Sequence, residues 1–451
     1  MRKKVFSLCM ALALCLGLLP ATALAADGIE LYVGGQKITE NGCYENQNGT
    51  WTKVDGTEPA NGQFSYDAAT ATLTLNQAKI VNYQDVTVGG GVTYPGSVIA
   101  FSQSADVSLT IVVSQGTSNI TGTGGIRVVS KAGDASLSIS GPGSLEVNVD
   151  RNDSGISLIG SKNVNLNIDG ADVKTLAAYY YGVDLHAGDG FKAAAVVNNG
   201  KLTAGGSGGI GIYYRWTNPS DSGTSSLTVS GNAVVDTRDS KILIASQASE
   251  VQVSAGSDGN GGIVFDGKSG TVYGDVTLQE DLEIGTDETL TIGKDASLTV
   301  PDGKTLTNNG TINVESGGKL EGKTTGNGTL KIAPTITTQP QDVEVKENET
   351  ATFNVKVTGT EPLSYQWQQS TDNGSNWTEI TGETNTTYTT GKTTMDMNGT
   401  QYRCVVKNSI DEVTSDAATL TVTALPEPEP EPEPTPPPYI PPTYAVTTPE
   451  T

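Results

Sequence analysis

The side chains in this sequence that could do chemistry are few and scattered. His186 is the only histidine, and no Gly-x-Ser-x-Gly elbow accompanies it, so a Ser-His-Asp hydrolase is not predicted. Two carboxylate pairs, Asp184 with Asp189 and Asp169 with Asp172, have the residue type that a glycosidase needs. Aspartates near glycine are usually turn formers, however. The sequence therefore predicts no catalytic residue and no enzyme, and a polysaccharide lyase or glycoside hydrolase is kept as an alternative.

Metal ligands are equally sparse. One histidine with the two distant cysteines that remain beyond the N-terminal segment, Cys43 and Cys404, does not make a zinc site. Neither of two oxygen-rich turns matches a full calcium loop. Those turns contain Asp150, Asn152 and Asp153, and Asp258 and Asn260. We predict no metal and no cofactor.

Aromatic clusters are the most suggestive feature of the sequence. One cluster comes just before a repeat unit and the other just after the next unit, so their rings could meet on one side of the fold. Exposed aromatic faces stack on sugars, and exposed apolar patches often mark binding sites. The alternative is that these rings pack under a loop or cover an edge. The candidate ligand-binding residues are Tyr179, Tyr180, Tyr181, Tyr213, Tyr214 and Trp216.

A repeated glycine-apolar-x-apolar unit must position these rings. Copies begin at Gly125, Gly155, Gly182, Gly209 and Gly262. The spacings of 30, 27, 27 and 53 residues suggest one missing copy, near Ile242. Each repeat holds about three short alternating strands, which cannot bury an apolar face unless repeats stack at the strand spacing of about 4.8 Å. The pattern predicts a right-handed parallel β-helix, or solenoid, over residues 76–333, preceded by a cap over residues 26–75. From residue 276 onward leucines recur every eight residues.

The two ends of the chain have other patterns. Basic Arg2, Lys3 and Lys4, an apolar stretch and a small-residue site at Ala23 to Ala25 predict a signal peptide over residues 1–25. Residues 334–424 predict an immunoglobulin-like β-sandwich, with a core tryptophan, a tyrosine and a cysteine in the expected places but no strand B cysteine. Residues 425–451 predict a disordered Pro/Glu-rich linker. The fold class is all-β.

The segments at Leu31 to Gly35 and Ser65 to Leu75 resemble secreted β-helix proteins of gut Firmicutes, which are often labelled as carbohydrate-binding-domain or Ig-like-domain proteins. The resemblance implies a secreted or cell-wall location. The formal charge of −23 argues against nucleic-acid partners, and no membrane insertion is expected once the signal is removed. We predict a non-catalytic, adhesin-like protein that binds glycans or host or microbial surface proteins, with a purely structural surface stalk as another alternative.

Overall fold

The computed structural model describes residues 30–88, 92–94, 96–103, 105–151, 153–214, 223–245, 252–257, 260–426, 439–440 and 442. The predicted signal peptide and most of the predicted linker lie outside these residues. The chain divides into two compact units, one reaching Pro334 and the other holding most of the residues from Thr335 onward. The described residues form strands with no α-helix, which confirms the all-β prediction. Within them, no helix is long and apolar enough to cross a membrane.

The first unit begins with five strands that pair mostly antiparallel. They are β1 (Glu30–Val33), β2 (Gln36–Ile38), β3 (Gly42–Gln47), β4 (Thr50–Val54) and β5 (Gln63–Asp67). Trp51 and Phe64 are buried in the same apolar core as the repeats that follow. The segment therefore shares one core with the repeats, and its role as a cap stays a prediction.

The repeats occupy the next 21 strands. They are β6 (Thr72–Asn76), β7 (Lys79–Asn82), β8 (Val86–Val88), β9 (Val92–Tyr94), β10 (Ile99–Gln103), β11 (Val107–Val113), β12 (Thr117–Gly122), β13 (Ile126–Ser130), β14 (Ala135–Ser140), β15 (Ser144–Val149), β16 (Ile156–Gly160), β17 (Val164–Asp169), β18 (Asp172–Ala177), β19 (Tyr181–Ala187), β20 (Lys192–Asn198), β21 (Lys201–Gly206), β22 (Gly209–Tyr214), β23 (Thr224–Ser230), β24 (Ala233–Thr237), β25 (Ile242–Ala245) and β26 (Gln252–Ala255).

Apart from β8 and β9, which pair only with each other, successive strands enter three sheets in a fixed order. Sheet A runs β2-β1-β10-β13-β16-β19-β22-β25, and sheet B runs β26-β23-β20-β17-β14-β11-β6-β5-β3-β4. Sheet C runs from β7 through β12, β15, β18, β21 and β24 and then on into the strands that follow. Within the repeats, neighbouring strands of each sheet are parallel. Parallel pairing already begins at β6 and β7, inside or directly after the segment predicted as the cap.

Alternation along each strand explains this stacking. In β14, Ala135, Leu137 and Ile139 are buried and the serines between them are half-exposed. The strand register pairs equivalent positions of successive repeats: Ile126 pairs with Ile156, and Ile156 pairs with Val183. Each inward Leu, Ile or Val thus lies on its counterpart, and fully burying one such side chain is worth about 1.5–3 kcal/mol.

The rest of the first unit contains eleven strands. They are β27 (Gly262–Asp266), β28 (Ser269–Tyr273), β29 (Asp275–Thr277), β30 (Leu282–Ile284), β31 (Thr289–Ile292), β32 (Ser297–Thr299), β33 (Leu306–Asn308), β34 (Thr311–Val314), β35 (Lys319–Glu321), β36 (Thr324–Thr325) and β37 (Thr329–Ile332). The β27–β28 pair is antiparallel and extends sheet C toward β31, β34 and β37.

Two details of the repeat prediction change here. The unit at Gly262 belongs to sheet C, not to sheet A with the other four copies, and Ile242 takes the place beside Ile210 in sheet A. Leucines eight residues apart lie in different sheets. Leu282 pairs with Leu306 in one sheet, whereas Leu290 pairs with Ile312 in another.

The second unit has ten strands and a 3₁₀ turn at Met395–Met397. The strands are β38 (Thr335–Thr338), β39 (Val343–Lys346), β40 (Thr352–Asn354), β41 (Lys356–Thr358), β42 (Ser364–Ser370), β43 (Thr378–Glu379), β44 (Thr387–Thr389), β45 (Gln401–Lys407), β46 (Glu412–Thr414) and β47 (Ala418–Thr423).

The core of the second unit uses the residues that the sequence indicated. Trp367 pairs with Cys404 across β42 and β45, and both are fully buried. Phe353 packs on Tyr402, with 4.8 Å between ring centroids. Cys404 is a free thiol, and burial raises its pKa to about 11. Phe353 and Val355, the two residues expected in place of a strand B cysteine, are both buried in this core.

Candidate functional site

Two of the predicted tyrosines form an exposed turn between sheets C and A. The side chains of Tyr179 and Tyr180 are 65% and 49% exposed. The next repeat holds this turn in place, because the Ser207 hydroxyl donates to the Tyr179 carbonyl at 2.6 Å and the Gly208 N–H donates to the Tyr180 carbonyl. Exposure of two rings on a fixed turn is what a sugar-stacking surface requires.

The other predicted rings are not part of that turn. Tyr181 and Tyr213 are half-buried on sheet A and pack edge to face, with 5.5 Å between their ring centroids. The ring centroid of Tyr213 also lies 5.1 Å from that of His186. Tyr214 ends β22, but its side chain lies outside the described part, as does all of Trp216. One ring of each predicted cluster thus meets the other on sheet A, and a ligand-binding role for the six residues stays a prediction.

A groove lies beside the exposed turn, at the ends of several strands of sheet C. We call it the tyrosine groove; its volume is about 570 Å³. Its lining includes Tyr83, Asn148, Asp150, Leu176, Ala178 and Ser207. Tyr83 follows β7, Asp150 follows β15, Ala178 follows β18 and Ser207 follows β21, so the parallel repeats bring these positions together. Ser207 both lines the groove and holds the Tyr179 carbonyl, which joins the exposed turn to this site.

The tyrosine groove combines apolar and hydrogen-bonding groups. Tyr83 is 55% exposed and Leu176 is 42% exposed, although both are large and apolar. Asn148 pairs with Leu176 in the neighbouring repeat, so an amide stands beside this apolar surface. A ring, an amide and a carboxylate around one groove can contact the C–H face and the hydroxyls of a sugar together.

Sequence reasoning missed Tyr83 and Leu176. A signal for Leu176 was present, because it occupies an outward position in a strand whose other outward residues are Asp172 and Lys174. Tyr83 had no comparable signal. It lies more than 90 residues before Leu176, and only the register of sheet C brings the two into one groove.

A second polar cluster lies on the outer face of sheet A. We call it the acidic cluster; it consists of Arg127, Asp153, Asp184, His186 and Tyr213. Asp153 is buried and forms an ion pair with Arg127. Asp184 carries a buried carboxylate oxygen without a hydrogen-bond partner, and so does Asp153. Burial raises the pKa of Asp184 and the charge of Asp153 raises it further, while the charges of His186 and Arg127 oppose this.

The members of each candidate carboxylate pair lie on different elements. The charges that act on Asp184 come from the acidic cluster, and Asp189 is an exposed turn residue. Asp169 ends a strand of sheet B and accepts a hydrogen bond from Asn198 at 2.8 Å, whereas Asp172 begins a strand of sheet C. Burial raises the pKa of Asp172, and the charge of Glu280 adds to this effect.

The predicted oxygen-rich turns have other surroundings. Asp153 is the counter-ion of Arg127, and Asp150 lines the tyrosine groove. Asn152 and Asp258 lie outside the described residues. In the part of the chain that the structure describes, no group of three or more His, Cys, Asp or Glu side chains is arranged to hold a metal ion.

Comparisons with known proteins give partial matches. A family model described as "Domain of unknown function (DUF8696)" matches residues 333–424. Endoglucanase C of Cellulomonas fimi is 36% identical over 93 residues, which is 21% of this chain. The chain spans only 8% of the length of that protein.

Solved structures with similar regions are immunoglobulin proteins. A titin fragment of domains I67–I69, an E-to-A variant, is 18% identical over 22% of this chain and 35% of that chain, with a TM-score of 0.19. Sidekick-1 immunoglobulin domains 1–5 are 20% identical over 23% of this chain and 21% of that chain, also with a TM-score of 0.19. A chimeric titin Z1Z2 with an exogenous decorin peptide is 27% identical over 21% of this chain and 98% of that chain, with a TM-score of 0.17.

Proposed function

We propose that this is a non-catalytic, secreted or cell-surface protein of the adhesin type that binds glycans through the tyrosine groove. In this proposal the three-sheet repeat is a right-handed parallel β-helix that presents the groove, and the second unit is an immunoglobulin-like spacer or adhesion module. Two features support the β-helix: the chain passes through the three sheets in a fixed order, and within the repeats neighbouring strands of each sheet are parallel. The sequence resemblance to secreted β-helix proteins of gut Firmicutes supports the location.

The observation that carries the proposal is the tyrosine groove beside the exposed turn. Tyr83, Tyr179 and Tyr180 are exposed although a stable fold gains by burying such rings. A contiguous exposed apolar surface rimmed by polar groups is the usual form of an interaction site. A purely structural stalk needs no such surface, so the exposed rings count against that alternative.

The polysaccharide-degrading alternative has one supporting observation. Asp172 and Glu280 line a common cavity with Lys201, and the two acids are close enough for the charge of Glu280 to act on the pKa of Asp172. The endoglucanase match covers too little of that enzyme to bring its activity to this chain. Release of reducing sugar from any polysaccharide that the protein binds would favour this alternative.

The test is a glycan array with the full chain and with Tyr83→Ala/Tyr180→Ala. Phe191→Ala is a matched control, because Phe191 is also an exposed ring, 37% exposed, but lies before β20 at the other end of β19. We expect binding to a defined glycan class, loss of at least tenfold in affinity in the double variant, and no change in the control. Equal binding by all three proteins, with unchanged thermal unfolding, would reject the tyrosine groove as the site.

A further inference from the structure

The tyrosine groove continues into two further cavities on the outer face of sheet C. A cavity of about 400 Å³ shares Leu176 and Asp239 with the tyrosine groove. A third cavity, of about 210 Å³, shares Arg238 with the second. Because each cavity shares lining residues with the next, the three lie side by side on the sheet, and we call this row of cavities the path.

This path is longer than a single sugar. Along β18 it runs from Asp172, in the third cavity, to Ala177, in the tyrosine groove. Five steps at 3.3 Å per residue make this about 16 Å. The tyrosine groove adds residues from β12 and β15, since Thr121 and Asn148 also line it. An extended ligand crossing several repeats therefore fits the path better than a compact one.

Gly205 lies beside Leu176, which lines both of the first two cavities. It occupies an outward position of β21 directly beside Leu176. Glycine within a strand costs about 0.5–1 kcal/mol relative to alanine, and it often marks a place where a ligand approaches the backbone closely. A Cβ atom at Gly205 would lie 2.7 Å from Leu176 Cδ2, so the Leu176 side chain lies over this glycine, and a large side chain here would displace Leu176 into the path.

The charges along the path decide which polysaccharides can enter it. Three basic residues line it: Lys174, Lys201 and Arg238. Eight carboxylates line it: Asp150, Asp172, Asp236, Asp239, Glu280, Asp281, Glu283 and Glu288. Arg238 is already paired, at 2.8 Å to Asp236 and 3.3 Å to Glu288. A chain of uronates or sulfated sugars would be repelled, whereas sugar hydroxyls can donate to free carboxylates.

We infer that the three cavities form one cleft for an extended polysaccharide chain without acidic groups, with Gly205 giving Leu176 the room to lie clear of that cleft. The inference rests on the proposed glycan-binding function and names the ligand class of that same site. The three cavities serve as successive subsites, so affinity grows with the length of the ligand until the path is filled.

The experiment is titration calorimetry of the full chain with cello-, xylo- and manno-oligosaccharides of two to six units, and with polygalacturonate and heparin. For at least one neutral series we expect affinity to rise tenfold or more from the shortest to the longest member. We expect the polyanions to bind at least tenfold more weakly. These wild-type measurements need no variant.

Gly205→Leu tests the role of this glycine. We expect it to keep the affinity for the shortest oligosaccharide and to lose the gain with length, while Gly205→Ala, which adds one methyl group, keeps most of that gain. Binding that does not depend on length, a full gain in Gly205→Leu, or preference for a polyanion would overturn the inference and leave the proposed function intact. Absence of binding to every saccharide would overturn both.

Discussion

The outer faces of sheets A and C belong to the same repeats, yet their outward side chains are arranged differently. On sheet A, the acidic cluster fills the surface: Arg127 pairs with Asp153, and Tyr213 lies across Gly211. On sheet C, the corresponding surface stays open as the tyrosine groove and the path beyond it. The inward residues of both sheets are equivalent, so the difference comes entirely from outward positions. An outward row is free to specialise because the core does not depend on it.

The largest expected difference between the two faces is in the stability lost when a basic side chain is replaced. Arg127→Met would leave buried Asp153 without its counter-ion, and breaking a buried pair in this way costs about 3 kcal/mol or more. Lys174→Met, on the open face, is the matched control and should change the free energy of unfolding by no more than about 0.5 kcal/mol. Urea unfolding measures both. Equal stabilities of the two variants would mean that the acidic cluster is not a buried, interlocked surface.

A second test uses one outward glycine from each face. A Cβ atom at Gly211 would lie 2.4 Å from the Tyr213 hydroxyl and 2.7 Å from its ring, so Gly211→Ala should destabilise the protein by about 1–3 kcal/mol. Gly205→Ala meets only the flexible end of exposed Leu176 and should be neutral or stabilising by up to about 1 kcal/mol. Thermal unfolding compares the two variants. The contrast fails if Gly205→Ala is the more damaging of the two.

The smallest expected effect is the pH response of Asp184. Because its pKa is raised in the folded state, ionisation of Asp184 costs more there than in the unfolded chain. The wild type therefore loses stability as the pH rises from the ordinary value of 3.8 through the raised pKa, and the loss is complete above it. Asp184→Asn carries no such penalty and should be more stable by about 0.5–2 kcal/mol near neutral pH.

The control for that prediction is the same comparison of wild type and Asp184→Asn at low pH. Thermal unfolding of both proteins should show the advantage of Asp184→Asn shrinking as the pH falls, and vanishing once Asp184 is protonated in both the folded and unfolded states. An advantage of the same size at low and neutral pH would assign the effect to packing, not to ionisation.

Much of the fold follows from local sequence patterns. Period-two alternation in strands such as β14 and the recurrence of the unit at Gly125, Gly155 and Gly182 predicted short stacked strands with the observed register. The unit at Gly262 was predicted as a further copy of the unit at Gly125, yet it lies in sheet C, because the same four-residue pattern serves any of the three sheets. A pattern of inward residues tells which side of a strand is buried but not which sheet the strand joins.

The candidate site was predicted less completely. Tyr179 and Tyr180 were named from the sequence and are exposed, whereas Tyr181, at the start of the next strand, is half-buried and packs on Tyr213. The turn between sheets C and A separates them. Neighbours in sequence diverge wherever the chain passes from one sheet to the next, and a run of three tyrosines carries no record of where that turn falls.

The sequence by itself determined the all-β class, the stacked strands, and the buried Trp367 and Cys404 of the second unit, because these depend on alternation and on residue types that bury well. Tertiary structure alone decided that Tyr83, Asn148 and Leu176 line one groove and that Arg127 pairs with Asp153. Such contacts join outward residues of different repeats. The repeat pattern fixes which inward residues stack, whereas the contacts between outward residues also depend on the turns that connect the sheets, and the spacing of the residues along the chain does not encode the shape of those turns.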